Sequence, residues 1–98
     1  MEVEFKDKTY DRLEIEPKFT GNFADATVRQ FRKRLQLIRA ASDERDFYAL
    51  KGLHYEKLKG DRSHQHSMKL NDQWRLILEL IGKGSEKTVL IVGIEDYH

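Results

Sequence analysis

The sequence predicts an α+β fold, a helical hairpin packed on a mostly antiparallel sheet of four to five strands with an N-terminal edge strand. Two observations carry that expectation. Apolar residues recur at spacings of three and four only in the first half of the chain, and from residue 53 the period changes to two, in short runs separated by turn residues. Strand, helix, helix and then a meander of strands is the order that layers helices on one face of a sheet.

Taken in order, Val3 and Phe5 alternate with acids as a short edge strand, and Lys8 to Ile15 suits a brief helix. Pro17, the only proline, breaks the chain after Glu16, because it has no N–H to donate and restricts the residue before it. The clearest helix runs roughly from Ala24 to Ala41, where Ala24, Val28, Phe31, Leu35 and Ile38 make one stripe. Ser42 is placed to cap a further short helix through Tyr48. His54 to Leu58 is a strand ended by the Lys59-Gly60-Asp61 turn, and Ser67 to Leu70 alternates as the next. After the Asn71-Asp72 turn, Trp74, Leu76, Leu78 and Leu80 share one strand face while Arg75, Ile77 and Glu79 share the other. Val89 to Val92, beyond the Gly82–Ser85 turn, is apolar on both faces, as an interior strand covered by helices would be.

Ninety-eight residues make one domain, 1–98, with room for a single core and none for a cleft between domains. Any site is therefore a surface groove. The absence of cysteine removes disulfides and thiolate metal sites and suits a reducing cytosol. No apolar run approaches the roughly 18 residues of a membrane span, and Met1 to Glu4 has no signal-peptide character. A cytoplasmic protein with no membrane partner is expected.

The net charge of +1 hides an uneven distribution. Residues 1–22 are net −2, residues 26–41 carry Arg29, Arg32, Lys33, Arg34 and Arg39 with no acid, and residues 51–75 are net +3. If the two basic segments fold together they make a phosphate-attracting face; otherwise they are a solvated helix surface and scattered strand lysines.

Three polar clusters end or interrupt the strands: Leu58-Lys59-Gly60-Asp61-Arg62, Asn71-Asp72-Gln73-Trp74-Arg75 and Glu95-Asp96-Tyr97-His98. Together they would gather lysine, arginine, aspartate, tyrosine and histidine on one small sheet, a set suited to a phosphodiester. These motifs, with Gln65 to Leu70 leading into the second, resemble the host-inhibition-of-growth (HigB) toxins of the RelE/ParE superfamily. The likeness covers roughly residues 53 to 98, and residues 1 to 52 follow it in outline. The turn from Gly82 to Lys87 is longer than such toxins usually have. The resemblance implies a small bacterial toxin that enters the A site of the 30S ribosomal subunit and cuts mRNA. It also implies a HigA-like helix-turn-helix antitoxin from the same operon, through which alone the toxin meets operator DNA. In related toxins the lysine of the turn, the arginine after tryptophan and the terminal tripeptide are tied to activity; here these are Lys59, Arg75, Asp96, Tyr97 and His98.

The residues can be asked for that chemistry directly. Cleaving RNA without a metal needs a base for the 2′-hydroxyl proton, a cation for the charge gained at phosphorus and an acid for the leaving 5′-oxygen. His98 is the base or acid, since imidazole titrates near neutrality. Asp96, two residues earlier, would orient that ring, while Tyr97 points the other way on a regular strand and would stack on a base or donate a proton. Arg75 is the transition-state cation, because guanidinium binds phosphate through two donors. Lys59 and Arg62 flank the Gly60 turn and would hold the RNA backbone, with Lys57, Lys69 and His66 as further RNA contacts. The structural alternatives are an Arg75–Glu79 pair and an ordinary Lys-Gly-Asp-Arg hairpin turn. His64 and His66 on one strand face invite a metal, but no third ligand is fixed by spacing; neither metal nor cofactor is expected. Two other functions stay open, a ParE-like protein that binds DNA gyrase without chemistry and an inert subunit acting only within the antitoxin–operator complex. The terminal tripeptide separates them, since a binder has no use for a proton-transfer group.

Overall fold

In the computed structural model, which describes residues 1–96 and Ser85 by its backbone only, one five-stranded sheet carries the helices on a single face. The strands are β1 (Glu2–Phe5), β2 (Glu56–Lys57), β3 (Gln65–Lys69), β4 (Trp74–Ile81) and β5 (Thr88–Asp96), in the order β1-β5-β4-β3-β2. β1 runs parallel to β5 at the edge, and the other pairings are antiparallel. The helices are α1 (Lys8–Ile15), α2 (Asp25–Ala40) and α3 (Arg45–Ala49). This is the expected fold class.

Local chemistry sets the element ends. Asp7 starts α1 by accepting from the Thr9 N–H at 2.9 Å, one of the amides a helix leaves unbonded at its first turn. α1 stops at Ile15 because Glu16, the residue before Pro17, is extended at φ −94° and ψ 110°. On α2, Val28, Phe31, Leu35 and Ile38 are buried at spacings of three and four. They meet Met68, Leu76, Leu78, Val89, Ile91 and Ile94 from the sheet in one apolar cluster. Ile77 pairs with Gly93 and Leu78 with Ile91, so Val92 is an unpaired extra residue, a bulge in β5.

Two expected elements differ. Ser42 does not cap α3: Glu44 holds the N-cap, and the Ser42 amide instead donates to the Asp46 carboxylate at 2.9 Å. The strand expected over His54 to Leu58 shrinks to Glu56–Lys57. Leu53 and Tyr55 are both buried with His54 between them in the left-handed region at φ 46°, and Tyr55 packs edge-on against Phe47 and Tyr48. Burying those side chains outweighs extending the strand.

Of the basic residues of α2, left between a phosphate-attracting face and a solvated surface, three are bonded within the fold. Arg32 donates from Nε to the Leu13 carbonyl and from Nη2 to that of Glu16, each at 2.8 Å, satisfying the end of α1. Arg34 donates to the Lys69 carbonyl at 3.0 Å, and Arg39 grips Glu14 through two 2.7 Å bonds. Arg32→Ala is therefore expected to lower stability by about 1–3 kcal/mol and leave affinity for RNA unchanged. Denaturant melts and a filter-binding titration would check the two halves. Among the described residues no helix is long and apolar enough to cross a membrane.

Candidate functional site

Directly opposed residues of antiparallel strands share a sheet face, so the pairings say which side chains gather. Lys69 lies across from Arg75, Ser67 from both Ile77 and Glu56, Gln65 from Glu79, and Glu95 from Arg75. That set occupies the face turned away from the helices. On the other face His66 is opposite Leu78 and Lys57.

Arg75 is the centre of the open face. Although charged, it is 7% exposed. Its Nε and Nη2 both donate to the Ser67 hydroxyl, at 3.1 and 2.8 Å, and Nη2 also donates to the His54 carbonyl at 2.6 Å. A Glu56 carboxylate oxygen lies 3.4 Å from Nη2. The Glu79 pairing weighed from sequence is not formed; Glu79 accepts from Gln65 at 3.1 Å instead. A buried cation needs such partners, since an isolated one would be strongly disfavoured. Two cavities meet at Arg75: one of about 310 Å³ lined also by His54, Lys69, Asn71 and Asp72, the other of about 180 Å³ bounded by Glu56, Arg62, Ser67, Ile77, Glu95 and Asp96 among others. A phosphate in either would meet the same guanidinium.

Arg62 reaches this face from a 3₁₀ turn, Gly60–Arg62, which Gly60 opens at φ 64°, a conformation disfavoured for any residue with a Cβ. It holds Glu95 through two bonds of 2.9 and 2.6 Å and donates from Nε to Gln65 at 2.9 Å. That grip raises the guanidinium pKa further. Lys69 sits 3.3 Å from Asp72. Pairs this exposed are worth about 0–1 kcal/mol each, so a phosphate can replace the carboxylates.

The structure thus brings Arg62, Lys69 and Arg75 onto one face, with Lys59 exposed at the head of the turn. Lys57 and His66 lie on the opposite face. Asp96 is opposite Trp74, accepts from the Gln73 amide at 3.3 Å and borders the smaller cavity. Tyr97 and His98 lie outside the described residues. His54, Glu56 and Ser67 were given no role in the sequence, and Glu95 was named only as the head of the last polar cluster; Ser67 had one signal there, the alternation with Lys69. His64 approaches Glu79 at 3.8 Å on the open face, so it and His66 are separated, and among the described residues no three His, Asp or Glu group as metal ligands.

His66 has a role of its own on the helix side. Its ring stacks on Tyr55 with centroids 5.1 Å apart and 5° between planes. Burial first, then the Lys57 ammonium, lowers its pKa below the ordinary 6.5. The folded state therefore favours the neutral ring, and the unfolded chain takes up the proton first. That contribution to stability is complete above the unfolded value and lost as pH falls through the lowered folded one. His66→Phe keeps the stacking and is expected to flatten the loss of melting temperature between about pH 7 and pH 5. An unchanged slope would show that the ring titrates alike in the folded and unfolded chain.

Residues 3–98 match the family model described as RelE-like toxin of type II toxin-antitoxin system HigB. Among solved structures, the YoeB/ParE toxin from Agrobacterium tumefaciens is similar over 100% of both chains, with 21% identity and a TM-score of 0.63. The YoeB-YefM complex from Staphylococcus aureus gives 17% identity and a TM-score of 0.63 over 100% of this chain and 97% of that one. At these identities the likeness is one of fold. No curated protein matches the chain.

Proposed function

The chain belongs to the HigB family of RelE-like toxins of type II toxin-antitoxin systems, and from that premise we propose that it is a ribosome-dependent endoribonuclease that cuts mRNA in the A site. The observation that carries this reading is Arg75, a buried guanidinium held in fixed geometry where two open cavities meet. Attack by the 2′-oxygen forms the new O–P bond and breaks the bond to the 5′-oxygen, leaving a 2′,3′-cyclic phosphate. Arg75 stabilises the charge gained at phosphorus, and His98 moves the proton, oriented by Asp96 and assisted by Tyr97. Glu56, beside Arg75 and 57% exposed in its side chain, is a second group able to take the 2′-hydroxyl proton. Lys59, Arg62 and Lys69 hold the RNA backbone. No step requires a metal or an organic cofactor to balance.

Dependence on the ribosome has a physical support. Arg62, Lys69 and Arg75 each have a carboxylate within 4 Å, and three of the five cations of α2 are bonded within the fold. Binding to free RNA rests on cations meeting phosphates, and each carboxylate displaced subtracts from it, which favours a message presented by the ribosome. It works in the cytoplasm, silenced by an antitoxin with a helix-turn-helix domain from the same operon, as the YoeB of the solved complex is bound to YefM.

The other reading is a gyrase-binding toxin with no chemistry. Primer extension on a translated message decides between the two. New 5′ ends within codons, absent with His98→Ala, support cleavage; intact message with arrested replication supports the binder.

A further inference from the structure

Ser67 lies within the Gln65 to Leu70 stretch but carries none of the roles read from it, and it meets Arg75 directly. It is 2% exposed, lies on the open face opposite Ile77 and Glu56, and its hydroxyl oxygen accepts from both Nε and Nη2 of Arg75. Two donors of a planar guanidinium meeting one oxygen fix the direction of the plane as well as its place. We infer that Ser67 is the positioning residue for Arg75, an assignment that rests on the cleavage reading above.

The chemistry of the partner is the reason. A hydroxyl accepts hydrogen bonds without carrying charge, so it orients the guanidinium without itself competing with a phosphate for the positive charge. The contrast is on the same face, where Arg62 is held through two bonds by the Glu95 carboxylate, a charged partner that a phosphate must displace. Glu56 is a looser partner of Arg75, at 3.4 Å and 57% exposed in its side chain. Burial adds to the arrangement: the guanidinium, 7% exposed, is also bonded to the His54 carbonyl, so any swing into the adjoining cavities breaks bonds to Ser67 and His54 together. Electrostatic stabilisation of a transition state depends on such prior orientation, because a donor that must first rotate into place contributes little.

The competing role is a plain fastening of β3 to β4. Full-length chain labelled with ¹⁵N separates the two through the Arg75 Nε–H resonance, assigned by its loss in Arg75→Lys. In the parent protein that resonance is expected apart from those of exposed arginines and slow to exchange with solvent. Ser67→Ala should return it to the exposed group and lower kcat on a translated message about 10- to 100-fold, the scale of a small misplacement, with KM nearly unchanged. Ser67→Thr restores the hydroxyl and should recover most of both signals. If Ser67→Ala fails to fold, Ser67→Cys, close in size and a weak acceptor, gives the same two readings. A parental kcat in the Ala or Cys variant, with Arg75→Lys inactive, overturns the positioning role and leaves cleavage standing. Undiminished cleavage by Arg75→Lys overturns the reading beneath it.

Discussion

Arg75→Lys is expected to reduce cleavage of a translated message by about 10²- to 10³-fold, the loss seen when one preorganised donor is taken from a transition state, while the protein stays folded. Lysine keeps the charge and most of the length. What it loses is the fork: no single ammonium can take the positions of Nε and Nη2, which meet Ser67 at 3.1 and 2.8 Å while Nη2 also reaches the His54 carbonyl. The loss belongs in kcat, because Lys59, Arg62 and Lys69 remain to hold the RNA, and an interaction made chiefly in the transition state leaves KM almost unmoved. Single-turnover cleavage on programmed ribosomes gives the number, and far-UV circular dichroism checks folding. A lysine variant within about threefold of the parent would mean that net charge alone suffices and that orientation has no part.

Why the fold was legible and the site only partly so follows from how each is encoded. α1 is bounded by Asp7 and Pro17, and the stripe from Val28 to Ile38 repeats at helical spacing, so their extents need only neighbours in sequence. The alternation along β4 likewise put Arg75 opposite to Leu76 and Leu78. Partners across strands need register, which no local pattern supplies. Glu56 reaches Arg75 through a two-residue strand, and the pairing of Lys57 with His66 turns both away from it. A strand running from His54 to Leu58 carries no mark of that parity.

The end of β5 shows the sharper case. Counting alternation outward from Val89 and Ile91 would place Glu95 toward the helices and Asp96 beside Arg75. Val92 is an extra residue, and one residue of slip exchanges the faces. Ile94 then packs in the core, Glu95 joins Arg75 on the open face, and Asp96 falls opposite Trp74. Which of the two readings of the basic residues of α2 holds was hidden for a related reason. The helical period says that Arg32 and Arg39 lie off the apolar stripe, but the ends of α1 and the carboxylate of Glu14 that meet them there come from elsewhere in the chain.

β4 thus holds stability on one face and the proposed chemistry on the other, and Leu78→Ala tests that division from the apolar side. Leu78 is 0% exposed, lies within the cluster formed by α2 and the sheet, and opposes His66 and Ile91. Truncating it removes buried methyl groups and leaves a cavity, a loss of about 2–5 kcal/mol. In a chain of this size that lowers the melting temperature by about 10–30 °C, a large part of the margin of about 5–15 kcal/mol that a folded domain has. At a temperature where the variant is still folded, cleavage per folded molecule should stay near the parental value, because Arg75, Ser67 and Glu56 lie across the sheet from the cavity. Arg75→Lys should give the reverse, activity lost with the melt little changed. Calorimetry and cleavage measured on the same two preparations would show the pairing. A Leu78→Ala melt within a degree or two of the parent, or a loss of activity that tracks neither unfolding nor temperature, would mean that the two faces of β4 are not independent.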